Sequence, residues 1–149
     1  MGKLATFREL SNAERIAAFE AAALLLAARI FVFVVPLRFW RDHFAQAPLS
    51  ANAVHPQAAT CPTVRLVRQA IGRAMRNAPL DFICLPQALA ARWMLARRHI
   101  ASVVHIGARR RPDTAPRFHA WLLAGGQWVT GDCDPDEFAL LGPQTGLPQ

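Results

Sequence analysis

Three residues in this sequence could together carry out acyl transfer: Cys84, His119 and Asp132. A thiol supplies the nucleophile, an imidazole takes and returns its proton, and a carboxylate holds the imidazole in one tautomer. Cys84 opens "CLPQALAARWMLARR", which reads as a helix with Pro86 in its first turn, where a missing N–H costs little. Unpaired backbone N–H groups and the positive end of the dipole at a helix start favour a thiolate. The same groups could hold an oxyanion, less the donor that Pro86 removes.

His119 and Asp132 bracket the strongest hairpin signal in the chain, "HAWLLAGGQWVTGD". With Gly125-Gly126 as a two-residue turn, Leu123 faces Trp128, Trp121 faces Thr130 and His119 faces Asp132. Directly opposed residues have Cβ atoms roughly 4.5–5.5 Å apart, which puts the imidazole and the carboxylate within reach. Asp134 would then face Arg117. A three-residue loop would turn Asp132 to the other face of the sheet. Each feature also has a quieter reading: the His–Asp pair as a structural hydrogen bond, and Cys84 as a small buried apolar residue.

The other chemistry-bearing residues fit structural roles. Cys61 and Cys133 read as passive thiols, His105 as a structural histidine on a strand, and His43 and His55 as surface residues. Trp121 and Trp128 suit a core, with Trp121 also able to shield the His–Asp bond. No C-x-x-C occurs and the five histidines are scattered singly, so no metal or other cofactor is expected.

At 149 residues and 53% hydrophobic composition, the chain is expected to form a single domain with a real core. The segments that must position the site are helices first, strands later. Ser11 and Glu14 form a capping-box pattern. A long, mostly buried helix over 11–45 follows, with Ile16, Phe19, Ala23, Leu26, Ile30 and Phe33 recurring at helical spacing. Its apolar stretch 21–40 is near the length of a membrane span. Arg29 interrupts it, at a cost of roughly 2.5–3.5 kcal/mol for insertion, so no transmembrane segment is expected. A proline-rich loop (46–63) leads to a catalytic core over 64–138 and a tail over 139–149. Within the core, one short helix turns Val64, Val67, Ile71 and Met75 inward and arginine outward. The Cys84 helix comes next, with Arg97 and Arg98 complementing its C-terminal dipole. "ASVVHIGA" reads as a strand, "RRRPDTAP" as a charged loop, and the hairpin completes an antiparallel meander. That order predicts an α+β fold. The net charge of +7 is almost all arginine. With unpaired cysteines and no secretory signal at the N-terminus, a reduced, cytoplasmic setting is expected.

"FICLPQALAARWMLARR", "VVHIGARR" and "FHAWLLAGGQWVTGD", with the long apolar opening helix, resemble the stand-alone leader peptidase of lasso-peptide biosynthesis. That family is a papain-related, transglutaminase-like group of cysteine proteases. The resemblance covers nearly the whole chain and implies Cys84 as nucleophile, His119 as general base and acid, and Asp132 as orienting acid. It implies a ribosomally made leader–core precursor as substrate, and two partners: a separate leader-recognition protein and an asparagine-synthetase-like cyclase that uses ATP. His99-Ile100 departs from the glycine usual after the run of arginines, which bears on how the catalytic helix is capped. Two other readings stand beside it. One is a transglutaminase-like acyltransferase. The other is a basic, non-catalytic module for peptides or nucleic acid, although the helices lack the short Gly-containing turn of a helix-turn-helix and no nucleic-acid partner is expected.

Overall fold

Ser11 starts the first helix as its sequence requires. In the computed structural model, which describes residues 10–36, 61–77, 84–111 and 118–141, the Ser11 hydroxyl accepts from the Glu14 N–H. The Glu14 carboxylate in turn accepts from the Ser11 N–H at 3.0 Å. This helix, α1 (Asn12–Val34), stops there rather than at 45. Pro36 explains the early end, because a residue before proline is disfavoured in the helical region and Val35 is extended (φ −98, ψ 113). The remainder of the expected helix and most of the 46–63 loop lie outside the described residues.

The face that α1 buries is the opposite of the expected one. Ala17, Ala21, Leu25 and Ala28 are buried. Ile16, Phe19, Leu26, Ile30 and Phe33, expected inside, are 50–78% exposed. Small residues let α1 approach α2 (Pro62–Asn77) and α3 (Cys84–Ala96) closely, and ion pairs fix the choice. Glu14 binds Arg73 of α2 at 3.0 Å. Glu20 takes both terminal nitrogens of Arg98, at 2.6 and 3.2 Å, just beyond α3. These acids flank the alanine stripe, so turning the bulky stripe inward would break both bridges. By length and composition α1 could cross a membrane, and only 22% of its most apolar window is buried, so it is not the mostly buried helix expected.

In α2, Val64, Val67 and Ile71 are buried as the periodicity predicts, with Ala70 beside them and Met75 half-buried. α3 is buried almost all round because it lies between α1 and the sheet. Its end answers the departure at His99. The Ile100 N–H bonds the Leu95 carbonyl at 3.0 Å and the His99 N–H bonds that of Ala96 at 3.0 Å. This is a Schellman cap whose left-handed position (φ +56) holds a histidine where glycine is usual. Arg98 also donates to the Met94 carbonyl at 2.8 Å, so it serves the helix end as well as Glu20.

Four antiparallel strands follow: β1 (Val103–Arg109), β2 (Phe118–Ala124), β3 (Gln127–Thr130) and β4 (Phe138–Leu140), in the order β3-β2-β1-β4. The α+β class is as expected. The fourth strand is not: Ala139 and Leu140, expected in a tail, pair with Ala108 and Gly107 of β1. Phe138 anchors that strand, buried under the guanidinium of Arg109 at 5.0 Å. Val104, Ile106, Ala120, Leu122 and Ala124 face the helices. By the alternation of strands, His105, Gly107, His119 and Trp121 share the other face.

Candidate active site

Gly125 and Gly126 form the hairpin turn at φ +56 and +78, and Leu123 pairs with Trp128 as predicted. The register then shifts. Leu122 pairs with Thr130, so two residues of β3 oppose one step of β2, and Val129 is the extra residue of a β-bulge. Burial of Val129 accounts for it, since the side chain is 4% exposed and packs into the helix–sheet core. One consequence is a correction: His119 does not face Asp132. Its Cα partner on β1 is Gly107. Asp132 is exposed, and among the described residues no hydrogen bond or ion pair engages it.

What reaches His119 instead is the backbone one residue earlier. Its Nε2–H donates to the carbonyl oxygen of Gly131 at 2.9 Å. A carbonyl can only accept, so this bond puts the proton on Nε2 and leaves Nδ1 as the basic nitrogen. That is the tautomer-setting duty expected of Asp132, done by a peptide group. Gly131 is at φ +71, and a Cβ there would lie 2.4 Å from the Ala120 oxygen and 2.9 Å from the Trp121 Cα. No other residue type fits that position without moving β2. The sequence signal was the glycine just past the strand, which marks a bulge or a close backbone approach.

The imidazole sits in an aromatic nest. Trp121 stacks on it at 6.1 Å and on His105 at 5.5 Å, while Phe138 lies 5.5 Å from the His119 ring. Trp121 is 3% exposed and covers one face of the imidazole. A side chain on Gly107 would fall 2.7 Å from the Phe138 Cβ and 3.1 Å from the Trp121 ring, so glycine there admits the nest. His105 is buried as a structural residue. Burial pushes its pKa down from 6.5, and its Nε2 has no partner among the described residues.

Cys84 is the first residue of α3, half-buried against the core, and its thiol is free. No hydrogen bond joins it to His119 among the described residues. Gln87, one helical turn after Cys84, lines the same groove as Thr130, Gly131 and Asp132. Cys61 and Cys133 are free thiols as well. Burial, then the charges of Asp132, Asp134 and Glu137, push the Cys133 thiol up, which suits a passive role. No group of three or more His, Cys, Asp or Glu side chains able to hold a metal occurs among the described residues.

Comparison with known proteins gives one match, to the sequence model of the transglutaminase-like superfamily, over residues 21–141. No curated protein and no solved structure matches.

Proposed function

From the premise that this chain belongs to the transglutaminase-like superfamily, whose members fit a cysteine protease or an acyltransferase, we propose that it is a cysteine peptidase. Its substrate in this reading is a ribosomally made lasso precursor, from which it removes the leader. The observation that carries the catalytic part is the His119 Nε2–H bond to Gly131, which leaves Nδ1 free to take a proton. The lasso assignment rests on the resemblance of the "CLPQALA", "HAW" and N-terminal helix segments.

In this mechanism the Cys84 sulfur attacks the carbonyl at the leader–core junction after its proton passes to His119 Nδ1. The tetrahedral intermediate collapses as the imidazolium returns the proton to the core nitrogen, which leaves as a free amine. Water then hydrolyses the leader thioester, with His119 again as base. Gly131 orients the imidazole, and the Asp132 carboxylate adds negative charge beside it. No cofactor enters; a partner cyclase would use ATP to join the new core N-terminus to an acidic side chain. The reaction would take place in the cytoplasm. A separate leader-recognition protein would deliver the precursor, docking on the exposed Ile16, Phe19, Ile30 and Phe33 stripe of α1 and raising the effective concentration of the scissile bond.

Mass spectrometry of the full-length precursor, incubated with this chain and the recognition protein, tests the reading. Wild type releases free core, and Cys84→Ala, a small change at a helix start, releases none while folding normally. Iodoacetamide should label Cys84 faster than Cys61 or Cys133. Cleavage retained by Cys84→Ala removes the protease reading, and transfer of the leader from a trapped thioester to an added amine replaces it with an acyltransferase.

A further inference from the structure

Between α2 and the edge strand β3 runs a groove of about 790 Å³, within the size range of ligand sites. One wall is a helical stripe of basic residues: Arg65, Arg68, Arg73 and Arg76. Over this length α2 spans about 16 Å, the reach of roughly five extended residues. The opposite wall is β3, where Trp128, Val129 and Thr130 line the groove.

The cationic groups here are incompletely used. Arg68 donates to the Trp128 carbonyl at 3.3 Å, which holds its guanidinium against the strand edge. Among the described residues no hydrogen bond or ion pair engages the side chain of Arg65 or Arg76. Arg73 gives one terminal nitrogen to Glu14, while its Nη1 is buried without a partner. Thr130, 8% exposed, also lines the groove with a buried Oγ1 that has no partner. A buried donor left unpaired costs about 1–3 kcal/mol, so such groups mark where an acceptor belongs. Arginine N–H groups and a hydroxyl together ask for a carboxylate.

We propose that this groove binds an acidic segment of the peptide substrate, seating Asp or Glu side chains on Arg65, Arg73, Arg76 and Thr130. The proposal deepens the peptidase reading and rests on it for the word substrate. Its lining includes Gln87, one turn from Cys84, and Gly131, whose carbonyl accepts from His119, so a peptide lying in it runs beside the elements that carry both candidate catalytic residues. A nucleic acid fits less well. The Asp132 carboxylate in the lining would repel a continuous run of phosphates, and Trp128 is the one aromatic ring among the lining residues, too few for a row of stacked bases.

The test measures binding directly, on the full chain carrying Cys84→Ala, so that it is independent of any cleavage. A fluorescein-labelled peptide of alternating Glu and Gly is titrated by anisotropy, against the same peptide with Gln for Glu and a single-stranded oligonucleotide of equal charge. The Glu peptide should bind at least tenfold more tightly than the Gln peptide, and more weakly as salt rises. Arg65→Gln/Arg76→Gln should weaken it about tenfold or more, as expected for lost charge-assisted contacts. Arg97→Gln/Arg110→Gln, which removes the same charge outside the groove, should not. Thr130→Val should weaken binding without lowering the melting temperature, because it deletes an unpartnered hydroxyl. Equal affinity for the Glu and Gln peptides overturns the proposal. So does equal loss in the two double variants, or tighter binding of the oligonucleotide through Arg65 and Arg76. A chain that binds the Glu peptide as expected but never cleaves the precursor keeps the groove and loses the peptidase.

Discussion

Replacing Gly131 by alanine should injure this protein in two separable ways. Alanine at φ +71 costs about 1–2 kcal/mol from the left-handed backbone alone. The new Cβ would also sit 2.4 Å from the Ala120 oxygen, against a normal contact of roughly 3.3 Å, so it must retreat by about 0.9 Å. Ala120 belongs to β2, which is paired on both sides, so β3 and the segment after it must give way. A carbonyl carried off by that distance leaves the 2.9 Å bond from His119 near ~3.8 Å, beyond hydrogen-bonding range. Adding about 1 kcal/mol for the lost bond gives a destabilisation of about 2–3 kcal/mol, or a melting temperature lower by roughly 4–12 °C. Catalysis suffers separately, because an imidazole free to switch tautomers presents its basic nitrogen wrongly. A 10- to 100-fold drop in kcat/KM corresponds to about 1.4–2.8 kcal/mol of lost transition-state stabilisation. Gly126→Ala is the matched control, since Gly126 is also at positive φ (+78) but at the far tip of the hairpin. It should lose stability and keep its turnover. Nitrogen NMR of the imidazole should report the Nε2–H form in wild type and a mixture in Gly131→Ala. If Gly131→Ala cleaves precursor as fast as Gly126→Ala and keeps the Nε2–H signature, the carbonyl does not orient His119.

Three further outcomes follow from the same geometry. Asp132→Asn should lower kcat/KM by only about tenfold, because its exposed carboxylate acts on the imidazole at a distance, and Asp134→Asn should be silent, because asparagine can still cap the short 3-10 helix Pro135–Glu137 by accepting from Asp136 N–H. A loss of a thousandfold or more in Asp132→Asn would show a direct carboxylate–imidazole bond. Burial holds the His105 pKa below 6.5, so below that pH the unfolded chain takes up a proton that the folded one refuses. Stability, followed by urea titration, should therefore fall as pH drops through 6.5 and level off below the folded pKa, with His105→Phe flattening that slope. His99→Gly should raise the melting temperature by about 3 °C, since it relieves about 1 kcal/mol of left-handed strain at the end of α3 without touching the site.

The class of the fold, the capping box at Ser11, the inward face of α2 and the turn at Gly125-Gly126 were all legible, because each follows from local chemistry or from a single clean periodicity. The orientation of α1 was not. Its sequence offers two apolar stripes, one bulky and one of alanines, and periodicity alone cannot rank them. Bulk favours the first stripe. The structure takes the second, because Glu14 and Glu20 must meet Arg73 and Arg98 and because α3 presents alanines that welcome a close neighbour. The strand at Phe138–Leu140 was hidden for a related reason. Three residues carry too little pattern, and their partner is β1, some thirty positions earlier.

The site shows the same limit at a finer scale. Pairing His119 with Asp132 followed correctly from a two-residue turn, and the first two pairs obey it. The bulge at Val129 then moves every later residue by one, and its cause is tertiary: a valine drawn into a core built by α3 and α2. Such a shift exchanges a side chain for its neighbour, and here it exchanges a carboxylate for the preceding carbonyl. The chemistry required at His119 is an acceptor for Nε2–H, which either group supplies. A carboxylate in that place would add a full negative charge to the imidazolium formed during the reaction, whereas a peptide carbonyl adds only a dipole. The bulged arrangement therefore sets the imidazole's tautomer through Gly131, and under the proposed peptidase reading Asp132 would stabilise the charged form only at longer range. For that reason Gly131→Ala, not Asp132→Asn, is the substitution expected to disturb the imidazole most.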